Sequence, residues 1–331
     1  MYHLPMAPAA ASHPVDVSVC IANWNCRAVL RTCLQSLHHQ SPEVRIETIV
    51  IDNASQDGAP DMVEQEYPEV ILQRNPVNVG FARACNQAAR LSRGRYLFFL
   101  NNDTIVPPET LRQLFGYCET HPSVGLVGPR LRDEEGRIQV SYRPRPTLAT
   151  LLHRTSLVRW TGLLHGAYCR YRRQDFDPNT TRRVDILMGA AMFVPREVFF
   201  RLGAWDEDFT FGGEDMEFSM RIGRHHEVVY LPSAEIIHLG RVSTRQHIGF
   251  ATSSIVVGFA RYLRKCGCSP AGLALYKLIV TLDAPVQILE KGVQYLWRCL
   301  QGRPDKAAKS LQVIRGLGHF LARGLIPLWR V

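Results

Sequence analysis

The sequence lacks the features that define several large classes of protein. It has no low-complexity tract and no repeat at the period of a solenoid, so a repeat architecture is excluded. Residues 1–14 have neither a basic start nor a continuous apolar core, and we therefore expect no signal peptide. The longest uncharged stretch of the C-terminal region, residues 246–260, is shorter than the ~20 residues that a membrane-spanning helix needs.

The cysteine and glycine signatures of common cofactor sites are also missing. The chain has nine cysteines, an odd number, and none of them forms a Cys-x-x-Cys pair; the closest spacing is Cys266-Gly267-Cys268. We therefore expect reduced thiols, as in cytosolic proteins, rather than disulfides or a zinc site. Neither G-x-G-x-x-G nor G-x-x-x-x-G-K-S/T occurs, which argues against a Rossmann dinucleotide site and a P-loop.

Charge is present but unevenly placed. The chain has 331 residues, enough for one large or two modest domains, and a net charge of +9. Residues 250–331 hold 12 Lys and Arg against 3 Asp and Glu, so this quarter accounts for the whole excess. Because its basic residues alternate with Leu, Ile and Val rather than with base-stacking aromatics, an anionic membrane surface is favoured over a nucleic acid.

The first hundred residues alternate between apolar runs and segments of helical periodicity. Apolar runs at residues 15–22, 46–51, 70–73 and 95–100 predict strands, and the segments between them predict helices. Strand–helix alternation at this short spacing predicts an α/β fold with a mostly parallel sheet flanked by helices.

Polar residues follow two of these strands at their carboxyl ends. Residues 95–100 end on Asn101-Asn102-Asp103, and residues 46–51 end on Asp52. A buried strand needs no carboxylate at its end for folding, whereas ligands of open α/β sheets bind there. We therefore expect Asp103 to lie beside a metal or a phosphate. Asp52 either caps the following turn or accepts hydrogen bonds from the base or ribose of a nucleotide.

An acidic and aromatic segment lies later in the chain. Residues 206–217 contain six carboxylates beside Trp205, and Glu214 and Asp215 begin a predicted helix. The helix dipole stabilises acidic side chains in the first turn by ~0.3–1 kcal/mol, so this placement is common in proteins without a site. The combination of acidic and aromatic groups is also suited to sugar binding and general-base catalysis.

Two single residues carry a weaker signal. Gly189 interrupts the apolar run of residues 185–195, and a glycine in a strand often marks the close approach of a backbone or a ligand. His238 follows an apolar pair and is either a core histidine or a metal ligand through its neutral imidazole.

Hydrophobic periodicity is weak in the middle of the chain and becomes clear again near the C-terminus. Residues 131–183 are rich in Arg, Tyr and Pro and predict long irregular connections, either a solvated surface or a contact for an anionic acceptor. Residues 250–265, 270–300 and 303–323 predict helices, the second kinked or split at Pro285. They form either a helical subdomain or dimer interface, or an interfacial membrane anchor.

Seven segments in a fixed order resemble the family 2 glycosyltransferases, and most of all the bacterial rhamnosyltransferase-type enzymes of cell-wall or O-antigen glycans. The segments, which span about residues 15–245, are VSVCIANWN, IVIDNASQDG, NVGFARACNQA, YLFFLNNDT, GAAMFVPREVFFRLGAWDEDF, GEDMEFSMR and HLG. The resemblance implies a GT-A fold with nucleotide bound at the strand ends. It divides the chain into an N-terminal tail (1–14), a GT-A domain (15–249) and a basic, apolar helical extension (250–331).

The resemblance also implies the roles of individual residues. Asp215 is the general base, and Asp103 and His238 bind the metal. Trp205 and Glu214 lie on the acceptor side. The donor-binding residues are Ala22, Trp24, Asp52, Arg83, Asn101 and Asn102.

One departure from the family pattern affects the metal. Asn101 stands where the family's D-x-D motif has its first Asp, and its amide is an oxygen ligand without charge. The choice between Mg²⁺ and Mn²⁺ therefore stays open, because both take oxygen donors.

The implied reaction is an inverting, metal-dependent sugar transfer from a nucleotide diphosphate to a lipid-linked or polysaccharide acceptor, with dTDP-rhamnose as the preferred donor. The alternatives are the same fold with a UDP-sugar (galactofuranose, N-acetylglucosamine or glucose), or a non-catalytic protein that binds nucleotide-sugars or carbohydrate. We expect a cytoplasmic protein that is peripheral at the inner face of the cell membrane and has no nucleic-acid partner. The sequence is compatible with a monomer or a homodimer.

Overall fold

The computed structural model describes residues 15–173, 177–240 and 248–331 of the chain. The predicted N-terminal tail lies outside the described residues. The first part of the chain follows the predicted alternation of strands and helices. Its elements are β1 (Val17–Asn23), α1 (Arg27–Leu37), β2 (Ile46–Asp52), α2 (Ala59–Glu66), β3 (Ile71–Arg74), α3 (Phe81–Leu91), β4 (Tyr96–Asn101), β5 (Thr104–Ile105), α4 (Thr110–Thr120) and β6 (Val124–Arg132).

Shorter elements follow until the last strand of the sheet. They are β7 (Ile138–Gln139), β8 (Tyr142–Arg143), α5 (Leu148–His153), α6 (Ser156–Trp160), α7 (His165–Arg173), β9 (Arg182–Arg183), β10 (Ile186–Leu187), β11 (Ala191–Pro195), α8 (Arg196–Arg201), α9 (Glu214–Ile222) and β12 (Glu227–His238). β12 is longer than the predicted strand and ends on His238 itself.

A ten-stranded sheet runs in the order β3-β2-β1-β4-β11-β6-β12-β5, with β7 beside β6 and β9 beside β12. Strands β1 to β4 are parallel, so their carboxyl ends share one edge. β11 lies antiparallel to β4, which brings its first residues to that same edge. The predicted fold, a mostly parallel sheet flanked by helices with a C-terminal helical extension, is confirmed.

Apolar side chains fill both faces of the sheet. Helices α1, α2 and α4 bury residues such as Leu30, Val63 and Leu114 against one face. Helices α3, α8 and α9 bury residues such as Ala88, Phe199 and Phe218 against the other. Burial on both faces explains why the central strands read as continuous apolar runs.

The connection predicted to be irregular, residues 131–183, contains three short helices. Leu151 and Leu152 of α5 are buried against Val257 and Ala260 of a C-terminal helix, in a third apolar core. Helices of five to nine residues are marginal on their own, and packing against distant parts of the chain stabilises them. Their short length explains why periodicity did not reveal them.

The C-terminal region is helical, close to the predicted bounds. It comprises α10 (Ile248–Lys265), α11 (Pro270–Leu300), α12 (Pro304–His319), a π-helical turn (Phe320–Gly324) and α13 (Leu325–Arg330). Pro285 lies inside α11 without splitting it. Among the described residues, α11 is also the one helix that is long and apolar enough to cross a membrane. The length of the uncharged stretches did not indicate this helix, because charged residues are scattered along it.

All nine cysteines lie in the described residues and are free, and five of them are buried. This agrees with the expectation of reduced thiols.

Candidate functional site

A hydrogen-bonded relay ties together the carboxyl ends of three neighbouring strands. Asn102, in the turn after β4, donates from Nδ2 to Asn23 Oδ1 over 2.7 Å. Asn23, at the end of β1, donates from Nδ2 to Asp52 Oδ1 at the end of β2 over 3.0 Å. Because all three side chains are buried, the relay fixes the turn that carries Asp103.

The sheet topology brings His238 to Asp103. β12 pairs antiparallel with β5, which places His238 opposite Thr104, one residue beyond Asp103. The two side chains are partly or fully buried, and His238 Nε2 lies 3.5 Å from Asp103 Oδ1.

A hydrogen bond to Gln139 sets the orientation of the imidazole. Gln139 Nε2 donates to the carbonyl of His238 over 2.8 Å, so its Oε1 is left to accept from His238 Nδ1–H over 3.0 Å. The other ring nitrogen, Nε2, faces Asp103 and is the atom of the imidazole that a metal ion beside Asp103 would reach.

A cavity of about 210 Å³ lies at this edge of the sheet. Six of the predicted site residues line it, namely Ala22, Trp24, Asn101, Asn102, Asp103 and His238. Phe250, at the start of α10, also lines it and contacts Trp24 edge to face at 6.4 Å between ring centroids. Apolar aromatic walls beside polar strand ends suit a flat ring joined to a charged group.

Asp52 does not line this cavity. Its carboxylate is 2% exposed and accepts hydrogen bonds from Asn23 and from the backbone N–H of Ser55 at 2.8 Å. It lies one hydrogen bond behind the cavity wall and positions Asn23. This matches the turn-capping alternative more closely than direct contact with a nucleotide.

Two predicted site residues, Arg83 and Trp205, do not line this cavity. Arg83 lies on the exposed side of α3 and forms an ion pair with Glu207 at 3.3 Å, away from the cavity. Trp205 is 2% exposed and stacks on Phe218 in the core below the sheet edge. Sequence position alone could not show that a tryptophan in an acidic loop packs inward, because that depends on the helix that follows.

The carboxylates of Glu214 and Asp215 are held at the first turn of α9. Gly213 precedes them with φ of +101°, a conformation that favours glycine and lets the loop turn sharply into the helix. Asp215 Oδ2 accepts from the backbone N–H of Gly189 at 3.3 Å. A Cβ on Gly189 would lie 3.2 Å from the Asp215 Cβ, which confirms that this glycine marks a close approach.

Burial changes the protonation of this pair. Loss of hydration raises the pKa of Asp215, although hydrogen bonds from the Met216 and Gly189 backbones act in the opposite direction. Loss of hydration and the neighbouring Asp215 charge raise the pKa of Glu214 to about 8. Glu214 Oε2 has no hydrogen-bond partner among the described residues. Burial and mutual repulsion therefore both disfavour a second negative charge on this pair of carboxyls.

Hydrogen bonds link Asp215, on helix α9, to the end of β4, next to the turn that carries Asp103. Asp215 is bonded to Gly189, and the carbonyl of the next residue, Ala190, accepts from the backbone N–H of Asn101 at 2.9 Å. A second, more polar cavity of about 580 Å³ is lined by Ala190, Arg143 and His238 among others. His238 lines both cavities, whereas Asp215 lines neither of them and reaches this end of the sheet through its hydrogen bond from Gly189.

Helix α10 supports the loop that carries the acidic pair. A Cβ on Gly258 would lie 1.9 Å from the carbonyl oxygen of Gly212, so the helix and the loop touch backbone to backbone. Arg261 of α10 also donates to the carbonyl of Asp208 in the same loop. The C-terminal helices thus take part in building the site, although the sequence assigned them to a separate extension.

Replacement of Gly258 by alanine tests this support. We expect lower stability, by roughly 1–3 kcal/mol, and displacement of the acidic loop, because the new methyl cannot fit against Gly212. Thermal unfolding and sugar-transfer assays would measure both effects. Gly116→Ala is the matched control: Gly116 lies in α4 with no atom near its Cβ position, and alanine should stabilise that helix. Equal stabilisation by the two substitutions would contradict the contact.

Several residues of the site were not found from the sequence. Asn23 could have been found, because it ends a buried strand as Asp52 does. Gln139 and Phe250 carry no sequence signal, because their roles depend on a two-residue strand and on a helix from the far end of the chain. Arg143 lies in the Arg-rich segment expected to be a surface or an acceptor contact, but its position depends on pairing with β10.

Comparison with known sequences gives a consistent family. Residues 18–180 match the model of the family described as Glycosyl transferase family 2. The N-acetylglucosaminyl-diphospho-decaprenol L-rhamnosyltransferase of Mycobacterium tuberculosis is 28% identical over 211 residues, covering 58% of this chain and 66% of the relative. The O-antigen biosynthesis protein RfbC of Myxococcus xanthus is 27% identical over 267 residues, covering 77% of this chain and 20% of the relative. The chain thus spans less than two thirds of the length of either relative.

Solved structures share the fold. GalNAc-T7, crystallised with UDP, GalNAc and Mn²⁺, superposes with a TM-score of 0.56 at 18% identity, over 76% of this chain and 48% of that one. The mannosyltransferase PcManGT from Pyrobaculum calidifontis, in complex with GDP-Man and Mn²⁺, gives a TM-score of 0.50 at 17% identity, over 93% and 87% of the two chains. At these identities the likeness concerns the fold. The match to the family model identifies residues 18–180 as a family 2 glycosyltransferase domain, similar in sequence to a rhamnosyltransferase, and the structural likeness shows a GT-A fold.

Proposed function

We propose that the chain is an inverting, divalent-metal-dependent glycosyltransferase of cell-envelope glycan synthesis. In this proposal it moves L-rhamnose from dTDP-rhamnose to a lipid-linked or polysaccharide acceptor. The choice of sugar is supported by the mycobacterial relative, which is an N-acetylglucosaminyl-diphospho-decaprenol L-rhamnosyltransferase. The choice of mechanism is supported by the site geometry.

The donor nucleotide would occupy the smaller, aromatic cavity. Its base would lie between Trp24 and Phe250, whose rings offer stacking and edge contacts. Asn101 and Asn102 would meet the polar part of the donor at the end of β4. Asp52 would act indirectly, by holding Asn23 in the relay.

Asp103 and His238 would hold the metal. One carboxylate and one imidazole with its second nitrogen anchored by Gln139 are a suitable donor set. No larger cluster of His, Cys, Asp and Glu occurs among the described residues, which suits Mg²⁺ or Mn²⁺ completed by substrate phosphates and water. When bound, such an ion supplies charge stabilisation for the departing diphosphate. The two structural neighbours described above were both solved with Mn²⁺.

Asp215 would act as the general base. An acceptor hydroxyl is a weak nucleophile until a carboxylate takes its proton. Asp215 is suited to this step because its raised pKa makes it a stronger base than an exposed aspartate, and the Gly189 N–H fixes one of its oxygens. The acceptor would enter through the larger cavity, where Arg143 lies. Glu214 would remain protonated beside it and limit the negative charge.

Inversion follows if the two groups act on opposite sides of the sugar. The leaving diphosphate would stay with Asp103 and His238, while the acceptor would be deprotonated by Asp215 and attack from the other side. The observation that supports the proposal is the link from Asp215 through Gly189 and Ala190 to Asn101, at the end of the strand that leads into the turn of Asp103. A lipid-linked acceptor would place the reaction in the cytoplasm, at the inner face of the cell membrane.

A thermal-shift screen tests the donor. We expect dTDP-rhamnose with Mn²⁺ to raise the unfolding temperature more than UDP-galactofuranose, UDP-N-acetylglucosamine, UDP-glucose or a GDP-sugar, because a ligand at 100 times its Kd stabilises the folded state by ~2.7 kcal/mol. Mn²⁺ alone and each nucleotide-sugar with EDTA are the controls. A larger increase in unfolding temperature with a UDP-sugar would show that the UDP-sugar, and not dTDP-rhamnose, is the preferred donor. Binding without turnover on any acceptor would favour a non-catalytic sugar-nucleotide binder.

A further inference from the structure

Helix α11 has its apolar side turned outward. Every residue of α11 that is more than about a third exposed is Pro, Ala, Leu, Val, Trp or Cys. Its large exposed side chains recur at helical spacing along one face, and we call Leu275, Leu278, Leu282, Leu289, Val293 and Leu296 the outer stripe. At 1.5 Å per residue this face is roughly 30–40 Å long. A helix on the surface of a soluble protein normally turns its apolar face towards the core and its polar face towards the solvent.

The charged residues of α11 face inward instead. Asp283 is 1% exposed and accepts from the backbone N–H of Leu157 at 2.8 Å. Glu290 accepts from Ser156 Oγ at 2.7 Å and pairs with Arg159 at 3.3 Å. No carboxylate is therefore exposed along the helix.

These inward contacts decide how the helix can lie against a bilayer. Asp283 and Glu290 attach the middle of α11 to α6, and the helix also packs against α5, α10 and α12. A helix that crossed the bilayer would carry these charged partners into hydrocarbon. A helix that lies in the membrane plane keeps them on the protein side and buries only the outer stripe.

The surroundings of the outer stripe indicate the charge of the surface it meets. Residues 250–331 hold 12 basic and 3 acidic side chains, and two of those three, Asp283 and Glu290, are turned inward. Trp297 at one end of α11 and Trp329, which lies beside Lys277 towards the other end, are about half exposed. Tryptophan and basic side chains are the groups that anchor a protein at an anionic lipid interface.

We propose that α11 lies in the plane of an anionic membrane and that its outer stripe is the membrane-binding surface of the chain. The proposal does not depend on the sugar chemistry of the site. It names the surface that would hold the enzyme beside a lipid-linked acceptor.

Vesicle flotation of the full chain tests it. We expect wild-type protein to float with phosphatidylglycerol–phosphatidylcholine vesicles and more weakly with phosphatidylcholine alone. The double variant Leu282→Glu, Leu289→Glu should bind anionic vesicles at least about tenfold more weakly, because two exposed leucines no longer enter the interface. The matched control, Val77→Glu, Leu91→Glu, adds the same charge at exposed apolar positions of the GT-A domain and should bind like wild type.

Three results would overturn the proposal. Equal binding by the two double variants would exclude the outer stripe as the contact. A chain that stays in the membrane after alkaline carbonate extraction would span it rather than lie on it. A dimer in solution that the Leu282→Glu, Leu289→Glu variant dissociates, without any vesicle binding by wild type, would assign the stripe to a second copy of the chain. Transfer to a soluble acceptor should be unchanged in both variants, which separates this test from that of the proposed function.

Discussion

Replacement of Asp215 by asparagine is expected to lower turnover by about 10²- to 10⁴-fold while leaving nucleotide binding intact. Asparagine keeps the size of the side chain and can still accept from the Gly189 N–H, but it cannot take a proton from the acceptor. The loss should therefore appear in kcat and not in the affinity for the donor. Single-turnover assays and calorimetric titration of the nucleotide would measure the two quantities separately.

Asp208→Asn is the matched control for this substitution. Asp208 belongs to the same acidic loop but is exposed, and its side chain takes no part in the site. Its variant should retain wild-type turnover. Near-normal turnover of Asp215→Asn, with bound nucleotide, would remove Asp215 from the role of base.

The same group should set the pH dependence of the reaction. Burial raises the pKa of Asp215, and a base acts only when it is deprotonated. The kcat/KM of the wild type should therefore be low at pH values below the raised pKa of Asp215 and should increase as the pH rises through it. The Asp215→Asn variant should lose this acidic limb, and a profile that keeps it would point to another group.

Replacement of Asp103 by asparagine should lower metal-stimulated turnover by at least about 100-fold, since a bound cation stabilises the leaving group by several kcal/mol. The turn that carries it already contains two amides, Asn101 and Asn102, so this change removes the only negative charge of the motif. We also expect Mn²⁺ to stop enhancing nucleotide binding, which calorimetry can show without any turnover. Binding of nucleotide in EDTA should be unaltered.

Asp61→Asn controls for the loss of a carboxylate in general. Asp61 lies on the exposed side of α2, where it pairs with Arg74 at 2.8 Å, far along the chain from the site. Mn²⁺ should enhance nucleotide binding in this variant as in wild type. If Asp103→Asn keeps the same enhancement, the metal is held elsewhere.

Local sequence was sufficient to predict those features that depend on the residues of a single segment. The parallel strands were predictable because both faces are buried, and the Asn101–Asp103 turn was predictable because polar residues end an apolar run. Gly189 was recognised as a close approach from its place in such a run. The short helices α5 to α7 were not, because the third core that stabilises them is completed only by residues more than 80 positions later.

The sequence by itself determined the alternation of strands and helices in the first half, the resemblance to family 2 glycosyltransferases and the residue types at the site. The tertiary structure decided which of these residues meet. His238 reaches Asp103 only because β12 pairs with β5, and Asp215 reaches the same edge only because β11 lies antiparallel to β4. The tertiary structure also decided that Trp205 packs in the core and that Arg83 pairs with Glu207. In the same way, it placed the carboxylates of α11 on the side of the helix that faces the protein. Most of these contacts join segments about 90 residues or more apart, and their energy depends on packing that no local pattern records.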